Sequence, residues 1–92
     1  LVWKIEYDTY ALTQLTKLDS TVQKQIDKYL RKIEKAQEPR AFGKPLIGQL
    51  TGFWRYRVGD YRLICKLEDQ KLIVVILDLE HRKKIYKRKK KL

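Results

Sequence analysis

Ninety-two residues with 43% hydrophobic content make one small domain with a thin core, too apolar for a disordered chain. Twenty-two Lys and Arg against eleven Asp and Glu leave a formal net charge of +11, more than solubility requires, which points to a polyanionic or acidic partner. A lone cysteine, Cys65, excludes an internal disulfide and fits a reducing compartment, and the longest apolar run, Leu72 to Leu77, is too short for a membrane span.

Trp3, Ile5 and Tyr7 alternate with Lys4 and Glu6, a short strand with one face inward. The start carries no apolar signal core, so a cytoplasmic protein without membrane contact is expected. Asp8 or Thr9 caps a helix bearing Ala11, Leu12, Leu15 and Leu18. Asp19-Ser20-Thr21 breaks it and offers a new N-cap to a longer helix with Val22, Ile26, Tyr29, Leu30 and Ile33 at helical spacing. The two are expected to form an antiparallel hairpin that ends before Pro39. Residues 38–51 hold both prolines, Gly43 and Gly48, and read as a loop. Within it Gly43-Lys44-Pro45 lacks the Ser or Thr and the glycine spacing of a phosphate-binding loop, so no nucleotide site is read there.

From Phe53 to Leu79 the pattern is a three-stranded meander. Gly59-Asp60 has glycine first, as a type II′ hairpin turn requires, and Asp69-Gln70 reads as a second two-residue turn. The first turn sets Val58 opposite Tyr61, Arg57 opposite Arg62 and Arg55 opposite Ile64. The second sets Leu67 opposite Leu72, Cys65 opposite Val74 and Arg62 opposite Leu77. Period two then puts Trp54, Tyr56, Val58, Tyr61, Leu63, Cys65, Leu67, Leu72, Val74 and Ile76 on the face toward the helices. Arg55, Arg57, Arg62, Ile64, Lys66, Val75 and Leu77 take the other. The strand from Leu72 to Leu79 is apolar on both sides and is expected in the interior of the sheet, with Phe53 to Val58 nearer an edge. The predicted fold is α+β, in the order β-α-α-β-β-β: one domain over residues 1–92, a helical hairpin on one face of a twisted, mainly antiparallel sheet. Residues 87–92 form a basic tail, partly frayed by self-repulsion.

The meander brings Arg57 against Arg62 with no acid expected beside them, unless a loop delivers one. Like charges across a strand pair destabilise a sheet unless they are solvated or an anion bridges them. An ordinary solvated basic face and a phosphate site both fit. After the last strand come His81, Arg82 and Tyr86. Folded back across the sheet, they would add a proton shuttle (His81), a further cation (Arg82) and a ring for stacking a base (Tyr86) to Arg55, Arg57 and Arg62. Metal-free RNA cleavage needs such a set: a group that takes the 2′-hydroxyl proton, cations for the phosphorane, and a proton for the leaving oxygen. Lys66 on the same face, with Lys83, Lys84, Lys87 and Arg88 after it, would extend the phosphate-binding surface. No carboxylate cluster is expected on that face, so no metal and no cofactor is read.

These residues carry a resemblance. Leu15-Thr16-Lys17-Leu18-Asp19, Pro39-Arg40, Lys44-Pro45-Leu46 and Gly48-Gln49-Leu50-Thr51-Gly52-Phe53-Trp54-Arg55 come in order. They are followed by Arg57-Val58-Gly59-Asp60-Tyr61-Arg62 and Asp78-Leu79-Glu80-His81-Arg82-Lys83-Lys84-Ile85-Tyr86. Across nearly its whole length the chain resembles the RelE-type toxins of the RelE/ParE superfamily, from bacterial type II toxin–antitoxin systems. The resemblance implies a toxin that enters the ribosomal A site and cleaves the mRNA there by 2′-hydroxyl attack without a metal. It also implies an acidic cognate antitoxin, through which alone operator DNA would be reached. Family site positions fall on Arg55, Arg57, Arg62, Arg82 and Tyr86. Lysine is frequent in relatives where this chain has Arg55 and Arg57. A guanidinium does not release its proton near neutrality, so His81, with an ordinary imidazole pKa of about 6.5, is the expected proton-transfer residue. The same fold also serves ParE-type toxins that inhibit DNA gyrase, and a non-catalytic RNA or ribosome binder would need only the charge.

Overall fold

A computed structural model of the chain describes residues 2–83. Strand β1 (Lys4–Tyr7) leads into helices α1 (Thr9–Thr16) and α2 (Ser20–Lys35). A short strand β2 (Lys44–Pro45) lies between two single 3₁₀ turns, and β3 (Trp54–Val58), β4 (Tyr61–Glu68) and β5 (Ile73–His81) complete the sheet. The strand order is β1-β5-β4-β3-β2, with β1 parallel to β5 and every other pair antiparallel. The expected α+β order holds, and β5 is interior. The loop read at 38–51 contributes the edge strand β2, which its proline and two-residue length hide from pattern reading.

Alternation decides the faces. Tyr56, Val58, Leu63, Cys65, Val74 and Ile76 are buried on one side together with Trp3, Ala11 of α1, and Ile26, Leu30 and Ile33 of α2. Complete burial of an aliphatic side chain of this size contributes roughly 1.5–3 kcal/mol, so this single layer holds the helices to the sheet. Burial pushes the Cys65 thiol up, as fits an inert core cysteine.

The chain between α2 and β3 is pinned down. The Tyr56 hydroxyl donates to the Pro39 carbonyl at 2.9 Å, and Trp54 Nε1 donates to the Phe42 carbonyl at 2.6 Å. Arg40 makes a two-pronged ion pair with Asp69, at 2.6 and 2.9 Å, which ties this segment to the β4–β5 turn. Gly43 adopts φ +71°, and a Cβ there would lie 2.2 Å from the Arg55 carbonyl oxygen, so only glycine lets β2 approach β3.

The β3–β4 register is as expected: Val58 faces Tyr61, Arg57 faces Arg62 and Arg55 faces Ile64. Gly59 has φ +57°. The β4–β5 hairpin differs. Its turn is four residues, Asp69 to Leu72, with Leu72 at φ +56° and 43% exposed rather than in the core. Leu67 therefore faces Val74 and Cys65 faces Ile76. A bulge then leaves Leu77 without a partner, so Ile64 faces Asp78 and Arg62 faces Glu80, not Leu77.

Candidate functional site

The sheet face away from the helices carries the arginines. Strands lie about 4.8 Å apart, so the register builds two rows across this face. One runs Lys44, Arg55, Ile64, Asp78; the next runs Arg57, Arg62, Glu80. Lys66 stands further along β4, exposed, 3.8 Å from Glu68.

The bulge at Leu77 decides what faces the arginines. With strict period two, Leu79 and His81 would point to the arginine face and Asp78 and Glu80 to the core. The extra residue reverses this. Leu79 pairs with Leu63 and is 5% exposed in the core, while Asp78 and Glu80 share the outer face with Ile64 and Arg62. The expectation of an acid-free arginine face is thereby corrected: Glu80 is the cross-strand neighbour of Arg62. Among the described residues Arg55, Arg57, Arg62 and Arg82 form no ion pair, and no group of His, Cys, Asp and Glu is arranged to hold a metal.

Burial first, then the charges of Arg55, Arg57 and Arg82, push the Arg62 guanidinium below its usual range. A guanidinium stays charged at neutral pH even so, and three neighbouring cations, Arg55, Arg57 and Arg82, act on Arg62 beside the effect of burial. Arg82 reaches it because its backbone amide donates to the Asp60 carbonyl at 2.7 Å, which fastens the end of β5 to the β3–β4 turn. At the other side of β5, beyond the end of β1, the Leu79 amide is satisfied by Gln14 Oε1 at 2.8 Å.

His81 is placed apart from this cluster. It pairs with Tyr61, which lies on the helix-facing side, and the two rings meet edge to face with centroids 5.0 Å apart. Its Nδ1 accepts a hydrogen bond from the Lys83 amide at 3.1 Å, which puts the proton of the neutral ring on Nε2. Lys83 is exposed just after it. Tyr86, Lys84, Lys87 and Arg88, expected in the site, lie outside the described residues. Lys44, in the arginine row, was not expected there. Its neighbours Gly43 and Pro45 were the available signal, pointing to a constrained backbone rather than to a nucleotide loop.

Comparison with known proteins gives these rows their context. Residues 5–86 match the family described as ParE toxin of type II toxin–antitoxin system. Over 53 residues the chain is 43% identical to toxin RelG of Mycobacterium tuberculosis, a match spanning 58% of this chain and 61% of that protein. Its fold is similar to a chain of the toxin–antitoxin complex RelBE2 of the same organism, with TM-score 0.79, 30% identity, and coverage of 89% and 100% of the two chains. It is also similar to the isolated Escherichia coli RelE toxin, with TM-score 0.70, 25% identity, and coverage of 97% and 96%. The chain belongs to the RelE/ParE toxin superfamily of type II toxin–antitoxin systems.

Proposed function

We propose that this member of the superfamily is a ribosome-dependent endoribonuclease that cleaves mRNA in the A site without a metal. The observation that carries the reading is the direct opposition of Arg57 and Arg62 on the sheet face away from the helices, with Arg55 and Arg82 close enough to press on Arg62. Two guanidiniums fixed on paired strands are spaced to grip the oxygens of one phosphate. In the reaction the 2′-hydroxyl gives its proton to solvent water as its oxygen attacks the adjacent phosphorus, and the P–O5′ bond breaks as the leaving 5′-oxygen takes a proton from water, giving a 2′,3′-cyclic phosphate and a 5′-hydroxyl. Arg57, Arg62 and Arg82 stabilise the negative charge that grows on the phosphorane oxygens. The arginines cannot accept the 2′-hydroxyl proton. His81 is assigned a positioning role, holding the strand end that carries Arg82. Tyr86 remains the residue proposed to stack on a base.

A domain this small offers little to orient a flexible strand, and the ribosome would supply that order. Lys66 and Lys83, with Lys84, Lys87 and Arg88, are assigned to ribosomal or messenger phosphates. The net charge of +11 fits an acidic antitoxin, and one similar fold is that of a chain in a toxin–antitoxin complex. The competing reading is gyrase inhibition, which the ParE description of the matching family favours. Mapping RNA ends after adding purified protein to programmed ribosomes, alongside a gyrase supercoiling assay, separates the two.

A further inference from the structure

Strand β2 has only two residues, and a strand that short has no stability of its own. Yet the segment leading to it is fastened to the sheet at three points: Pro39 by Tyr56, Phe42 by Trp54, and Arg40 by Asp69. Gly43 removes the one side chain that would keep β2 off β3. The result is a fixed place for Lys44, which is exposed and directly opposite Arg55.

Lys44 and Arg55 therefore extend the row next to the Arg57–Arg62 pair. Along β3, Arg55 and Arg57 are two residues apart, about 6.7 Å at the usual strand rise. That is close to one nucleotide step of an extended single strand. Building on the ribonuclease reading, we propose that Lys44 and Arg55 form a second phosphate subsite, one nucleotide from the scissile phosphate held by Arg57 and Arg62. Lys44 is then a substrate-binding residue. It anchors the backbone beside the cut, and so sets which phosphate lies over the arginine pair.

The test is single-turnover cleavage on programmed ribosomes, with native mRNA and with mRNA carrying a neutral methylphosphonate at the phosphate on either side of the scissile one. Lys44→Ala is expected to slow cleavage of native mRNA roughly tenfold, the scale of one charge-assisted contact, and Lys44→Arg to restore most of the rate. At one of the two neighbouring positions, the neutral linkage should slow the wild type by a similar factor and leave Lys44→Ala no slower. An exposed lysine should leave the melting temperature unchanged. Wild-type rates in Lys44→Ala would overturn the proposal. So would losses that multiply at both positions. Normal cleavage with weakened antitoxin binding would move Lys44 to the antitoxin interface. Failure of the wild type to cut native mRNA would remove the ribonuclease reading itself; cutting without any Lys44 coupling removes only the subsite.

Discussion

Arg57 and Arg62 stand directly opposite each other across the β3–β4 hairpin, on the sheet face away from the helices, and neither forms an ion pair among the described residues. Like charges so placed destabilise a strand pair by roughly 0.2–1 kcal/mol. Arg57→Ala or Arg62→Ala is therefore expected to leave the melting temperature unchanged or raise it. An anion that bridges the pair stabilises only the folded state. Inorganic phosphate at ten times its Kd should add about 1.4 kcal/mol to the wild type and nothing to the double variant. Thermal melts with and without phosphate check both points; a lower melting temperature in either single variant would show that the arginines support the fold instead.

His81 packs edge to face on Tyr61 and accepts from the Lys83 amide, so it holds the chain that carries Arg82. His81→Ala is expected to lower stability by about 0.5–1.5 kcal/mol, the range for such a ring pair. The loss should be largely absent in a Tyr61→Ala background, as a double-mutant cycle would read. Cleavage should slow through misplacement of Arg82, with the shape of the rate profile between about pH 5 and 8 unchanged. A profile that loses a limb in His81→Ala would return proton transfer to this residue.

The Arg57–Arg62 pairing was legible in the sequence because Gly59-Asp60 is a two-residue turn whose glycine position names its type. Once that turn is fixed, the register has no freedom. The β4–β5 register was not legible. Asp69-Gln70 looks like the same kind of turn, but Arg40 holds Asp69 from 29 residues away and the turn runs on to Leu72, a residue that rarely takes a positive φ. The bulge at Leu77 has no residue-type signature in a run of Ile, Val and Leu. It alone moves His81 off the arginine face and Glu80 onto it. Helix and core positions were readable from Ile26, Leu30 and Ile33, because their spacing needs no partner to interpret. Lys44 was missed because the meaning of Gly43 depends on the Arg55 carbonyl against which it packs.

The Arg40–Asp69 pair makes an acid-sensitive fastening. The hydrogen bond from Arg40 holds the Asp69 carboxyl below the usual range. In the unfolded chain the group titrates at about 3.9. A depressed folded-state value means the contribution is complete above that pH and fades as the pH falls toward the folded value. Asp69→Asn should lower the melting temperature slightly at pH 7, and the gap from wild type should close at pH values below about 3.9. A gap that persists at pH 2 would show that the effect comes from turn geometry and not from the ion pair.

Gly43→Ala should be damaging although the position is exposed. The added Cβ would lie 2.2 Å from the Arg55 carbonyl oxygen, and φ there is +71°. Loss of roughly 1–3 kcal/mol is expected from the backbone strain, with β2 displaced from β3. Hydrogen exchange at the β2–β3 ladder should rise while the β4–β5 ladder stays protected. Unchanged exchange at β2 would contradict the requirement for glycine.

The central claim is that Arg57 and Arg62 hold the scissile phosphate of ribosome-bound mRNA. The direct measurement is single-turnover cleavage of mRNA in programmed ribosomes, with end mapping, for the wild type and Arg62→Ala beside the same free RNA. The wild type should cut within the A-site codon, leave a 2′,3′-cyclic phosphate and spare free RNA. Arg62→Ala should fall by roughly 100-fold with its fold intact, the scale for losing one electrostatic donor to the transition state. Full cleavage by Arg62→Ala, or no cleavage by the wild type together with arrest of gyrase, would contradict it.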